Sequence, residues 1–163
     1  MCIKYTMKKY DRAAAVRYAR AFALTPNPTF YHFGGIGGDC TNYISQCLLA
    51  GGGVMQYDKE KGWYYNSAAD RSPSWTSVQF LQQFLLDTSL KGPKAEIVAL
   101  KRLEEGDIIQ LRQNPSHFNH TLFVSKITQN DIYVCAHSND ALDRKLSSYN
   151  YLQLLPLHII SVE

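Results

Sequence analysis

A thiolate attacks carbonyl carbon far better than a thiol. The ordinary cysteine pKa of about 8.5 leaves few side chains ionised at neutral pH. A helix N-terminus favours the anion through its unpaired N–H groups and partial positive charge. The chain has four cysteines, Cys2, Cys40, Cys47 and Cys135. Cys40 stands just after the run Gly34-Gly35-Ile36-Gly37-Gly38 and at the start of a helical pattern, where glycines let a substrate backbone approach closely. It is the candidate nucleophile. A neighbouring histidine would complete the activation. His120 directly precedes the strand pattern Thr121 to Lys126, and His137 directly follows Ile132 to Ala136. If these strands pair about the turn Gln129 to Asp131, the start of the first meets the end of the second. His120 is then the candidate base, and His137 the candidate group that orients it. Two loop histidines without a shared task remain the alternative at this point. His117 and His120 form an HxxH, and Cys40, His120 and His137 could together offer zinc three ligands. With no HExxH and no CxxC, neither a metal nor another cofactor is expected. His32 and His158 read as structural or incidental.

The elements that must position these groups can be traced from periodicity. Asp11 to Leu24 is an amphipathic helix that Asp11 can cap, ended by Thr25-Pro26-Asn27-Pro28. From Thr41 to Ala50, Tyr43, Ile44, Cys47 and Leu48 give a short buried helix, stopped by Gly51-Gly52-Gly53. Asn42, Ser45 and Gln46 lie on it as surface or packing support. Residues 54 to 75 read as an aromatic-rich loop, and Ser74-Trp75-Thr76 opens a helix over Ser77 to Leu86. The second half changes to short β-branched runs, Ile108 to Leu111, Thr121 to Lys126, Ile132 to Ala136 and Leu157 to Val162. Helices first and an antiparallel sheet after them predict an α+β domain, single over 1–163. An oxyanion would be held by the Cys40 backbone N–H and one further donor, for which Asp39 and Tyr31 are candidates. Trp63, Tyr65 and Trp75, with Tyr64, are candidates for lining a substrate groove or for packing. Cys47 and Cys135 read as small buried hydrophobes, and Cys2 as a free thiol.

Composition narrows the class. At 163 residues the chain can bury a core without metal or disulfide. A net charge of +3, spread evenly, gives no case for nucleic acid. No apolar run reaches a membrane span, and the first segments do not form a signal peptide. The chain is therefore read as cytoplasmic, or as a mature part of an exported protein.

The segment Gly37-Gly38-Asp39-Cys40-Thr41-Asn42-Tyr43-Ile44-Ser45-Gln46-Cys47-Leu48 resembles the nucleophile motif of the bacterial "putative amidase" domain family, of the papain-like group that also contains NlpC-type peptidases and CHAP amidases. The likeness extends to Tyr10-Asp11-Arg12, Asn27-Pro28, Trp63-Tyr64-Tyr65, Ser74-Trp75-Thr76, Gly106-Asp107-Ile108, His120 with its strand, and His137-Ser138-Asn139-Asp140. The resemblance implies a papain-like, NlpC-type fold with the nucleophile at a helix N-terminus packed on a C-terminal antiparallel sheet. It implies Cys40 as nucleophile, His120 as base and His137 as the third polar residue, with Asn139 and Asp140 as rivals. The implied activity is hydrolysis of an amide or peptide bond, with a small amide or a peptidoglycan peptide as substrate. Acyl or peptidyl transfer by the same residues, or peptide binding without catalysis, are the alternatives.

Overall fold

A computed structural model describes residues 8–163; Cys2 lies outside them. Four helices, α1 (Arg12–Phe22), α2 (Cys40–Ala50), α3 (Pro73–Thr76) and α4 (Val78–Leu86), accompany eight strands. The strands are β1 (Tyr65–Ser67), β2 (Asp70–Arg71), β3 (Lys94–Ile97), β4 (Ile108–Arg112), β5 (His120–Ile127), β6 (Ile132–Ala136), β7 (Ala141–Lys145) and β8 (Gln153–Ser161). β1 and β2 form a small hairpin. The other six make one sheet in the order β3-β8-β4-β5-β6-β7, antiparallel at every pairing. The expected α+β architecture, helices packed on an antiparallel sheet, is what the chain adopts.

Local chemistry explains the helices. The Asp11 carboxylate accepts from the Ala14 N–H at 3.0 Å and starts α1, whose buried face is Ala15, Val16 and Ala19. α2 is apolar or internally bonded all round, and Cys40 through Leu48 are all buried. It is the central helix, clamped to α1 by the Tyr43 hydroxyl, which donates to the Ala19 carbonyl at 2.5 Å. A single helix from Ser74 onward does not form. Ser77 adopts extended backbone and its hydroxyl accepts from the Phe80 N–H at 3.4 Å, so α3 ends and α4 begins at that residue.

The sheet separates two cores. Ile108, Phe123, Cys135, Leu157 and Ile159 pack with the helices. Ile109, Leu111, Leu122, Val124, Val134 and Ala136 pack on the other face under Leu103, Leu146 and Tyr149. The alternation follows from the two-residue period of a strand. One carboxylate ties the layers together. Asp107, fully buried before β4, accepts from Arg12 Nη1 at 2.8 Å and from the Ile159 N–H at 2.9 Å. Arg12 Nη2 also donates to the Ile159 carbonyl at 2.7 Å. No helix among the described residues is long and apolar enough to cross a membrane.

Candidate active site

Asp39 occupies the N-cap position of α2 but does not cap it. Its Oδ1 accepts instead from the Phe33 N–H and from Asn42 Nδ2, both at 2.8 Å. Its Oδ2 meets His137 Nδ1 at 2.5 Å. Its own N–H donates to Ser138 Oγ at 2.9 Å. The carboxylate therefore fastens the glycine loop and the end of β6 to the helix and makes no cap bond to the helix's leading N–H groups. Gly38 makes this approach possible. Its φ is +102°, and a Cβ there would stand 3.2 Å from Ser138 Oγ. Ser138 and Asn139 also carry positive φ, 60° and 71°, so the turn after β6 is held in a costly conformation beside the site.

Cys40 sits at the first turn of α2 with 9% of its surface exposed. Its sulfur lies 3.7 Å from Thr41 Oγ1. Thr41 Oγ1 is 3.1 Å from Thr121 Oγ1, which locks the helix start to β5. Burial pushes the Cys40 thiol above its ordinary value, and the hydrogen bonds from Thr121 and Thr41 oppose this only in part. His120, the first residue of β5 and next to Thr121, is buried as well. Burial, and then the Arg144 guanidinium, lower its pKa to about 4. The thiol and the imidazole therefore each rest neutral, and no hydrogen bond joins them among the described residues.

His137 lies elsewhere than expected. Phe123 pairs with Cys135 and Val124 with Val134. In that register Thr121, not His120, stands across from His137. The two histidines consequently fall on opposite faces of the hairpin. His137 stacks on Tyr43 of α2 at 4.1 Å, whereas the His120 ring lies 6.3 Å from Tyr149 on the other side. Both His137 nitrogens are taken, Nδ1 by Asp39 and Nε2 by the Phe22 carbonyl at 2.7 Å. It therefore does not orient His120. Burial opposes its charged form, but the bonds to Asp39 and Phe22 outweigh burial and raise its pKa. For Asp39, burial is likewise the largest effect and is overcome by bonds from His137, Phe33 and Asn42, leaving its pKa lowered. Asn139 and Asp140 are exposed in the following turn, and Asp140 acts on His137 only through its charge.

A comparison with protein families covers nearly the whole chain. A family model described as "Putative amidase domain" matches residues 9–160. The chain belongs to that amidase family. Two proteins of Bacillus subtilis (strain 168) are similar to it, both described as uncharacterized. YhbB is 33% identical over 119 residues, covering 71% of this chain and 37% of YhbB. YjcM is 27% identical over 146 residues, covering 85% of this chain and 33% of YjcM. The chain thus spans about a third of the length of these relatives. No solved structure matches it significantly.

Other candidates in this amidase-family chain find different places. Trp63 and Trp75 do not line a groove. Both are fully buried, 4.9 Å apart, because each indole N–H has a partner inside: Ser45 Oγ at 3.1 Å for Trp63 and Asn42 Oδ1 at 2.9 Å for Trp75. Tyr65 remains partly exposed, and its hydroxyl accepts from the Tyr31 N–H at 2.9 Å. That bond occupies the Tyr31 N–H, as Ser138 occupies that of Asp39. Neither backbone donor is free for an oxyanion, which leaves the first turn of α2. His117 is exposed against Ser116, apart from buried His120, so the HxxH spacing does not form one donor set. Among the described residues, His32, Asp39 and His137 do bring three metal-binding atoms within 4.8 Å of one another. The residues that reasoning from sequence passed over are Thr41, Thr121 and Ser138, while Asn42, read as surface or packing support, does support the loop through the Tyr31 carbonyl and Asp39. The i, i+3 spacing of Asp39 and Asn42 was a readable signal, because those positions share a helix face. The Ser138 contact spans 99 residues and had none.

Proposed function

We propose that the chain is a cysteine-dependent hydrolase of amide or peptide bonds with a papain-like arrangement. One observation carries the reading: Cys40 opens helix α2, whose N-cap residue Asp39 makes no cap bond, and the adjacent Thr41 is held 3.1 Å from Thr121, the residue that follows His120. Substrate binding brings the carbonyl to the sulfur. As the C–S bond forms, the thiol proton passes to His120 through one water, since the imidazole lies toward Tyr149, and the leading N–H groups of α2 hold the oxyanion. His120 then gives that proton to the leaving amine as the C–N bond breaks. Water, deprotonated by the same imidazole, hydrolyses the thioester and restores the thiol. Because thiol and imidazole rest neutral, the reading is general-base catalysis rather than a preformed ion pair. A peptidoglycan-type peptide is the substrate class that the amidase resemblance favours.

The test is to incubate the full chain with peptidoglycan stem peptides and simple peptide amides and to follow amine release, trapping the acyl-enzyme by acid quench and mass spectrometry. The adduct is expected on Cys40, with release lost in Cys40→Ala and reduced about 10²–10⁴-fold in His120→Gln. Amine release that survives Cys40→Ala would overturn the reading.

A further inference from the structure

We infer that His32, Asp39 and His137 form a binding site for a single divalent cation of the zinc class, beside Cys40 but independent of its sulfur. The His32 Nε2 to Asp39 Oδ2 distance is 3.7 Å and the Asp39 Oδ2 to His137 Nδ1 distance is 2.5 Å. All three donor atoms lie within 4.8 Å of one another. Two imidazoles and one carboxylate, with a fourth position open to water, are a donor set zinc accepts.

A second observation points the same way. His137 Nε2 faces the Phe22 carbonyl at 2.7 Å. A carbonyl can only accept, so that nitrogen carries the hydrogen. The neutral ring then has its lone pair on Nδ1, aimed at a carboxylate oxygen 2.5 Å away. Two acceptors at that separation share a proton, which a metal ion entering the site would replace. A histidine whose far nitrogen is fixed by a backbone carbonyl is how proteins commonly orient a metal ligand. Asp39 is prepared similarly. Oδ1 is held by the Phe33 N–H and by Asn42, leaving Oδ2 facing the histidines.

His32 supplies the way in. Its side chain is 44% exposed and begins the glycine loop, while the other two are buried. Its Nδ1 receives only a 3.3 Å contact from the Gly34 N–H. Ligation through Nε2 gives up that weak contact, and Nδ1 then carries the proton. With metal–ligand bonds of about 2.0–2.2 Å, neighbouring donors settle roughly 3.3–3.6 Å apart. The Asp39–His137 contact therefore opens as the bridging proton leaves, and the exposed His32 ring closes in. Binding releases that proton to solvent.

The experiment titrates the full chain with zinc by calorimetry and with cobalt(II) by absorbance, in parallel with His32→Ala and Cys40→Ala. His32 is exposed, so its replacement should leave the fold unchanged, which circular dichroism checks. Expected are saturable one-to-one binding, an affinity at least about tenfold weaker in His32→Ala, and unchanged binding in Cys40→Ala with no sulfur-to-cobalt charge-transfer band. Absence of saturable binding at micromolar metal would overturn the site. So would binding indifferent to His32→Ala, or a sulfur band abolished by Cys40→Ala, since the ion would then sit on the cysteine. The readout is independent of hydrolysis, so a chain that cleaves nothing can still pass.

Discussion

Acidification tests the environment of His120 directly. Its pKa is about 4 in the folded chain against 6.5 for an unperturbed histidine, with burial as the larger cause and Arg144 as the smaller. Between those two values the unfolded chain binds a proton that the folded chain refuses. Stability is therefore fully present above the unfolded value and is lost as pH falls toward the folded one. From pH 7 to pH 4.5 this single group removes about 2–3 kcal/mol. Other groups titrate in the same range, so the perturbation is the difference between the wild-type chain and His120→Gln, whose amide carries no proton. Urea unfolding followed by tryptophan fluorescence at both pH values gives the midpoints, and an unchanged m-value keeps the comparison valid. The wild-type chain should lose about 2–3 kcal/mol more than His120→Gln, and Arg144→Gln should recover a minor part of that loss. Equal losses in wild-type and His120→Gln chains would refute the claim that His120 is desolvated and neutral. The case for a general base would fall with it.

Two further outcomes follow from the packing around Cys40. Gly38→Ala forces a side chain into φ +102° and within 3.2 Å of Ser138 Oγ; a cost of about 1–3 kcal/mol is expected, with slower iodoacetamide labelling of Cys40 mapped by mass spectrometry. Trp75→Phe removes the bond to Asn42 Oδ1 and leaves that buried acceptor unpaired. It should cost about 2–4 kcal/mol in chemical unfolding, whereas a tryptophan at a solvent groove would cost little.

The sequence carried the architecture wherever periodicity was strong. α1, α2 and β6 fall within a residue or two of expectation, since their apolar positions recur at helical or strand intervals. β3 and β7 escaped notice, as did the β1–β2 hairpin inside the stretch read as a loop. Ala141–Lys145 carries Asp143, Arg144 and Lys145 and no apolar alternation, and only Ala141 of it is buried. At the site, the place of Cys40 at a helix start after the glycine loop was legible, whereas Asp39, expected as an oxyanion donor, has its N–H taken by Ser138 and turns its carboxylate to His137. The pairing of His120 with His137 was not, because a strand changes face at every residue and register cannot be fixed to one position from turn signals. Trp63 and Trp75 went to the core because Ser45 and Asn42, distant in sequence, satisfy their indole N–H groups.

The polar character that concealed β7 has an effect beyond this one chain. A six-stranded sheet ends in two rows of unpaired backbone donors and acceptors, which are templates for recruiting another strand. Here one border carries Asp143, Arg144 and Lys145 and the other Glu96. Any strand from a second molecule that docked there would have to strip water from those charges. The sheet is thereby protected against edge-to-edge aggregation even though its centre is built almost wholly of β-branched and aliphatic side chains.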